Sequence, residues 1–135
     1  MPQINPYAQY NDVSFSTKSP VGLVVVSYDA AVRGLREAAR AMRENDYDSR
    51  TRSIDLSFEL ISELRKSLNP VQGGEIAEKL DLLYEFYQRE IVAANASNDP
   101  DRLTPVIDMM GTLRDAWEET RKKIQAESDT ATYNV

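Results

Sequence analysis

The chain contains no cysteine and no histidine. Without cysteine there is no disulfide, no thiolate nucleophile and no thiolate-bound zinc. Without histidine every Ser-His-Asp or Cys-His arrangement is excluded, and so is a helical di-iron site built on Glu-x-x-His motifs. Lack of cysteine suits a reducing compartment. Positive charge is also short: 16 Lys and Arg stand against 22 Asp and Glu, a net charge of −6. Nucleic acids and anionic membrane surfaces are recognised by concentrated positive charge, so neither is an expected partner. Long apolar runs are missing. The longest, at 21–26, is interrupted by Gly22 and is far too short to span a bilayer. The first twelve residues carry neither a basic start nor an apolar stretch of the signal-peptide kind. The expectation is a cytoplasmic protein with one domain over 1–135.

Glycine is sparse, and Gly73-Gly74 lacks the further glycines and the Lys-Ser/Thr ending of a phosphate loop. This pair reads as a sharp turn into a helix, with Glu75 near the positive helix end. Carboxylates are plentiful but poorly placed for acid–base work. Glu78, Asp81 and Glu85 share the polar side of one predicted helix, and Glu118 and Glu119 sit beside Arg121, Lys122 and Lys123. Both groups read as solvated, ion-paired faces. No catalytic, cofactor-binding or metal-binding residue is expected, and the chain is not read as an enzyme.

What is present is helical periodicity, and 41% apolar residues are enough for a real core. An N-terminal arm, 1–18, carries Ile4, Tyr7, Tyr10, Val13 and Phe15. It is expected to be partly ordered, with a short extra helix as one form. Two readings stand: an arm that lies on the rest of the protein, or apolar residues scattered on a surface. Ser19-Pro20 opens the first helix as a cap followed by proline. Val21, Tyr28, Leu35 and Met42 recur every seven residues as a core stripe. Leu23 and Val26 fall off it, so the first two turns need a second cover, for which the arm is the nearest candidate.

Asn45-Asp46 marks a short turn. The second helix is predicted over about 48–68, ending at Asn69-Pro70. Ile54, Leu56, Phe58, Leu60, Ile61, Leu64 and Leu68 spread over roughly 200° of it at about 100° per residue. The third helix, 73–99, is read as the one on which the others pack. Its stripe of Ile76, Leu80, Leu83, Tyr84, Tyr87, Ile91 and Ala94 is widened by Leu82, Phe86 and Ala93. A fourth helix starts at Asp99-Pro100 with a stripe of ordinary width through Trp117. It is expected to fade near Ala126, leaving 127–135 as a flexible tail. Short connections imply antiparallel neighbours, so the fold class is all-α: an antiparallel up-and-down four-helix bundle over 19–126.

The second and third helices hold more apolar surface than one bundle core absorbs. Either one of them is covered on two sides, or the surplus binds an amphipathic or extended protein segment. In the binding reading the contacts are Ile4, Tyr7 and Tyr10 of the arm, Leu23 and Val26 of the first helix, Leu56, Leu60 and Leu64 of the second, and Ile76, Leu82, Leu83, Phe86 and Tyr87 of the third. The alternative function is a self-associating structural bundle or adaptor whose extra stripe is a dimer seam. A monomer and a weak dimer are both open.

Several short motifs, in order and spacing, resemble the FliS family of bacterial flagellin-specific export chaperones over nearly the whole chain. They are Asn5-Pro6-Tyr7 with Tyr10, then Ser19-Pro20, Leu23 and Tyr28-Asp29. Gly73-Gly74-Glu75-Ile76-Ala77 follows, with Leu80, Leu83-Tyr84, Ala94-Asn95 and Asn98-Asp99, and finally Ala116-Trp117. The chain departs from the family pattern at Ser27, Ala30 and Tyr87, where a longer hydrophobic residue, glycine and methionine are usual. The resemblance implies a cytoplasmic chaperone that holds the disordered C-terminal segment of flagellin. It would block premature polymerisation and keep the subunit competent for flagellar type III export. It also implies that the arm occupies part of the binding surface in the free protein, and that the arm takes part in docking to a flagellar export gate component.

Overall fold

Pro20 opens α1, and the chain stays helical to Glu44. The structure, a computed structural model, describes residues 20–133. It continues with α2 (Tyr47–Lys66), α3 (Pro70–Ser97), a turn of 3-10 helix (Pro100–Leu103) and α4 (Thr104–Tyr133). No strand occurs among the described residues. Long-range ties fix the directions. Arg114 pairs with Asp29 while Arg43 reaches Asp101, so α1 and α4 run oppositely. Gln88 donates to the Phe58 carbonyl and Arg50 donates to Asn95, so α2 and α3 do the same. This is the expected antiparallel four-helix bundle. The expected arm at 1–18 lies outside the described residues.

Local chemistry sets the boundaries. Asn45 takes a left-handed φ of 57° between α1 and α2, a conformation that asparagine tolerates better than most side chains. Asp46 then caps α2 by accepting from the Ser49 N–H at 3.2 Å. Those Ser49 hydrogen bonds, with help from Arg40, hold the Asp46 carboxyl below its usual range. Asn69 does not only stop α2, as read from the sequence. It caps α3, accepting from the N–H groups of Val71 and Gln72 at 3.1 Å each, with Pro70 in the first turn. The glycine pair therefore lies inside α3. Gly74, at φ 51° and ψ −126°, kinks the helix one turn after its start. Asp99-Pro100 opens the 3-10 turn without a side-chain cap bond, and α4 proper begins at Thr104.

At the other end α4 runs past Ala126 to Tyr133, where a tail was expected from 127. No glycine or proline follows Gly111. Local bonds continue through this part, including Gln125 to Asp129 at 3.0 Å and Thr130 to the Ala126 carbonyl at 2.9 Å. Scarcity of apolar residues there leaves 127–130 exposed; it did not end the helix.

The centre of the bundle is α1, not the third helix. Val25, Val26, Tyr28, Ala31, Leu35, Ala38, Ala41 and Met42 are all buried, and α1 packs on α2, α4 and the 3-10 turn. Its seam with α2 is made by small groups. A Cβ added at Gly34 would lie 2.4 Å from the Ser57 Oγ, and Ser57 is wholly buried. Small residues let two helices approach closely, and they add little to a hydrophobic stripe. The core is completed by Ile61, Tyr84, Tyr87, Ile91, Leu103, Val106 and Met110.

Candidate functional site

The buried polar centre of the molecule is a set of three tyrosines. The hydroxyls of Tyr28 and Tyr84 share a hydrogen bond of 2.6 Å between α1 and α3. Tyr87 stacks obliquely on Tyr84, with ring centroids 6.3 Å apart. Burial raises all three phenol pKa values, that of Tyr87 to about 12, so they stay protonated at neutral pH. Tyr28 and Tyr84 tie two helices together. Tyr87 does not: its hydroxyl is buried with no partner. An unsatisfied buried hydroxyl costs about 1–3 kcal/mol. Tyr87→Phe is therefore expected to raise stability by about 1 kcal/mol in urea unfolding. A fall of similar size would mean that the hydroxyl makes a bond after all.

No group of three or more carboxylates among the described residues could hold a metal ion. Asp81 is bound by Arg65 at 2.8 Å, an ion pair of the partly solvated face that also ties α2 to α3. Glu118 is held by Arg121 at 2.6 Å, and this ion pair keeps its pKa low.

Open features among the described residues include three grooves. The first, about 480 Å³, lies between α1 and α4 and is polar. Arg33 and Arg36 face Asp108 and Asp115 over Val32, Ile107 and Gly111. The second, about 370 Å³, runs between α2 and α3. Phe58, Val92, Ala93 and Ala96 line it, with Glu85 and Arg89 at its edge. Gln88 fixes its floor by donating to the Phe58 carbonyl at 3.2 Å and the Ser62 Oγ at 2.8 Å, while accepting from Arg65 at 3.2 Å. The two walls are thus held at a set spacing, and the apolar side chains between them face outward. Val92 is 56% exposed. The third, about 330 Å³, is an apolar cavity at the end of the bundle where all four helices contribute. Val24, Leu64, Leu68, Ile76, Leu80 and Trp117 line it.

The residues expected to form the binding surface divide into distinct groups. Leu56, Ile76 and Leu82 are exposed. Leu23, Leu83 and Phe86 are half-buried. Val26, Leu60, Leu64 and Tyr87 are buried in the free chain. Leu60, Leu64 and Tyr87 belong to the core cluster, and Leu64 also reaches the wall of the end cavity. Ile4, Tyr7 and Tyr10 lie outside the described residues. The structure does not bring the exposed residues into one stripe. Ile76 belongs to the end cavity. Leu56 sits roughly 160° around α2 from Phe58, so it faces away from α3. The residues that line the α2–α3 groove, Phe58, Val92 and Ala96, were not singled out. Their signal is weak by periodicity, because a groove needs small side chains on its floor and only one or two large ones.

The described residues form a helical bundle with ion-paired carboxylates and two open apolar clefts. The chain belongs to the flagellar protein FliS family, whose family model matches residues 3–124. It is 31% identical over 108 residues to the flagellar secretion chaperone FliS of Vibrio cholerae, covering 80% of this chain and 79% of that protein. The flagellar secretion chaperone FliS of Bacillus subtilis is 29% identical over 115 residues, 85% of each chain. That of Salmonella typhimurium is 26% identical over 122 residues, 89% of this chain and 90% of its own.

Proposed function

We propose that this protein is a cytoplasmic export chaperone without catalytic activity. It holds the disordered C-terminal segment of flagellin, prevents its premature polymerisation and keeps it competent for flagellar type III secretion. The observation that carries this reading is the open α2–α3 groove, with Val92 and Phe58 over a floor locked by Gln88 and Arg65. A rigid cleft between helices suits a segment that orders on binding, because only the client then loses conformational freedom. Such a client must bury a large area to bind tightly, and the end cavity extends the surface available. The family membership supports the export role. Within this reading Leu82, with Val92, borders the client path on α3. Leu23, Leu83, Phe86 and Ile76 take contacts toward the bundle end and the α4 side. Ile4, Tyr7 and Tyr10 of the arm cover part of this surface in the free protein and serve docking to the export gate component.

Titration calorimetry with the C-terminal segment of flagellin from the same genome tests this. One-to-one, submicromolar binding with a large negative heat-capacity change is expected. No measurable heat or competition, from a folded chain, would reject the flagellin assignment. The same titration on a chain starting at residue 18 tests the arm. Tighter binding is expected if the arm is a cover, and equal affinity rejects that role.

A further inference from the structure

The end cavity has an unusual wall. Residues 70–73 form a separate turn of α3, closed on itself by Asn69, which accepts from Val71 and Gln72 through its side chain and from Gly73 through its carbonyl at 2.7 Å. The turn joins the rest of α3 through Gly74, at φ 51° and ψ −126°, a conformation that strains any residue with a side chain. Residues 69–76 are all exposed. Val71 is 91% exposed and Ile76 is 68% exposed, so two large apolar side chains flank the hinge without cover. Asn69, Gln72 and Gly73 of this turn line the cavity, opposite Trp117. A self-contained turn on a single-residue hinge can swing as a unit, since its own hydrogen bonds need not break.

We propose that the end cavity is an anchoring socket for one bulky apolar side chain of the bound segment, and that the turn at 70–73 is a lid hinged at Gly74. Its volume of about 330 Å³ is at the lower end of the range for ligand pockets and matches a side chain better than a whole helix. On binding, Val71 folds over the anchored side chain and Ile76 meets its flank. The lid acts on departure of the client more than on arrival, because it closes after the anchor is seated. This inference rests on the chaperone reading, and it concerns a subsite distinct from the α2–α3 groove.

Trp117 is the only tryptophan in the chain and lines the socket, so its emission reports occupancy directly. The test follows Trp117 fluorescence and amide hydrogen exchange while the flagellin C-terminal segment binds and is then chased off by unlabelled excess. Wild type is expected to show a shift in Trp117 emission and at least tenfold slower exchange at residues 71–76 in the complex. Val71→Ser is expected to release the segment about tenfold faster, with the association rate changed less than twofold. Gly74→Ala, which cannot keep the kink, is expected to release it faster as well. Binding that leaves Trp117 emission and the exchange at 71–76 unchanged overturns the proposal, as does a wild-type release rate in Val71→Ser. If the segment does not bind wild type at all, the chaperone reading fails first. The lid is then judged with the apolar dye anilinonaphthalene sulfonate: energy transfer from Trp117 weakened severalfold by Val71→Ser supports it, and equal or absent transfer overturns it.

Discussion

Gly34→Leu is expected to abolish cooperative folding, and Gly34→Ala to change sign with the identity of residue 57. The position lies in the middle of α1, where it meets α2 most closely. A Cβ there would stand 2.4 Å from the Ser57 Oγ, a distance that forces a shift, but 3.6 Å from the Ser53 carbonyl and the Ser57 Cβ, which is ordinary contact. Overpacking of this kind costs about 1–3 kcal/mol, while alanine in place of a helical glycine returns about 1 kcal/mol. Gly34→Ala alone should therefore lower stability by up to about 2 kcal/mol. Ser57→Ala removes the clashing atom at little cost, since its 3.5 Å bond to the Ala31 carbonyl is long. In the Ser57→Ala background, Gly34→Ala should be neutral or stabilising by up to about 1 kcal/mol. Urea unfolding of the four members of this cycle measures the coupling. Additive effects would mean that the seam relaxes elsewhere and that Ser57 is not what limits the approach.

This seam also explains what the sequence made legible and what it hid. Long periodic stripes announced four helices, and proline after a polar residue marked the start of α1 and the 3-10 turn that leads into α4; Asn69-Pro70, read as the stop of α2, is also the start of α3. The central role of α1 was hidden because closeness depends on Gly34, Ala31, Ser53 and Ser57, which have little weight in any hydrophobic stripe. The broad apolar arc of α3 divides between the core and the surface. Leu80, Tyr84, Tyr87, Ile91 and Ala94 are buried, and only Ile76 and Leu82 of the arc are exposed.

The motif residues behind the family resemblance tell a similar story. Tyr28 bonds Tyr84 across 56 residues of sequence. Asp29 pairs with Arg114 at 2.7 Å. Asn95 and Asn98 are gripped by Arg50, which donates to both side chains and to the Asn95 carbonyl, securing the left-handed end of α3. Those motifs are joints of the scaffold, and each joint needs a partner far along the chain that periodicity cannot name. Gly73, Ile76, Ala77, Leu80, Tyr84 and Trp117 of these motifs also line an open cavity. The α2–α3 groove went unread for a further reason. It exists only because Gln88 and Arg65 hold two helices at a fixed spacing, and polar residues on a helix face do not announce that.

Val92→Asp is expected to weaken the flagellin segment by at least about 30-fold, roughly 2 kcal/mol, while the bundle stays folded. Val92 is more than half exposed in the free protein, so the free state accommodates a carboxylate in water at small cost. In the complex the same carboxylate would be desolvated on an apolar floor of Phe58, Ala93 and Ala96. Arg89 at the rim is the one cation among the groove's lining residues, and partial pairing with it limits the loss. Leu56→Asp serves as the contrast. Leu56 is 47% exposed but faces the other side of α2, so its replacement should change affinity less than about threefold. Calorimetry on both variants, with mass measured by light scattering, separates the possibilities. Loss of binding in Leu56→Asp but not in Val92→Asp would route the client over the far side of α2. A drop in mass for Val92→Asp would instead identify the groove as a seam between two copies of this chain. A monomer that folds, keeps its mass and loses the client only when Val92 is charged would place the flagellin segment between α2 and α3.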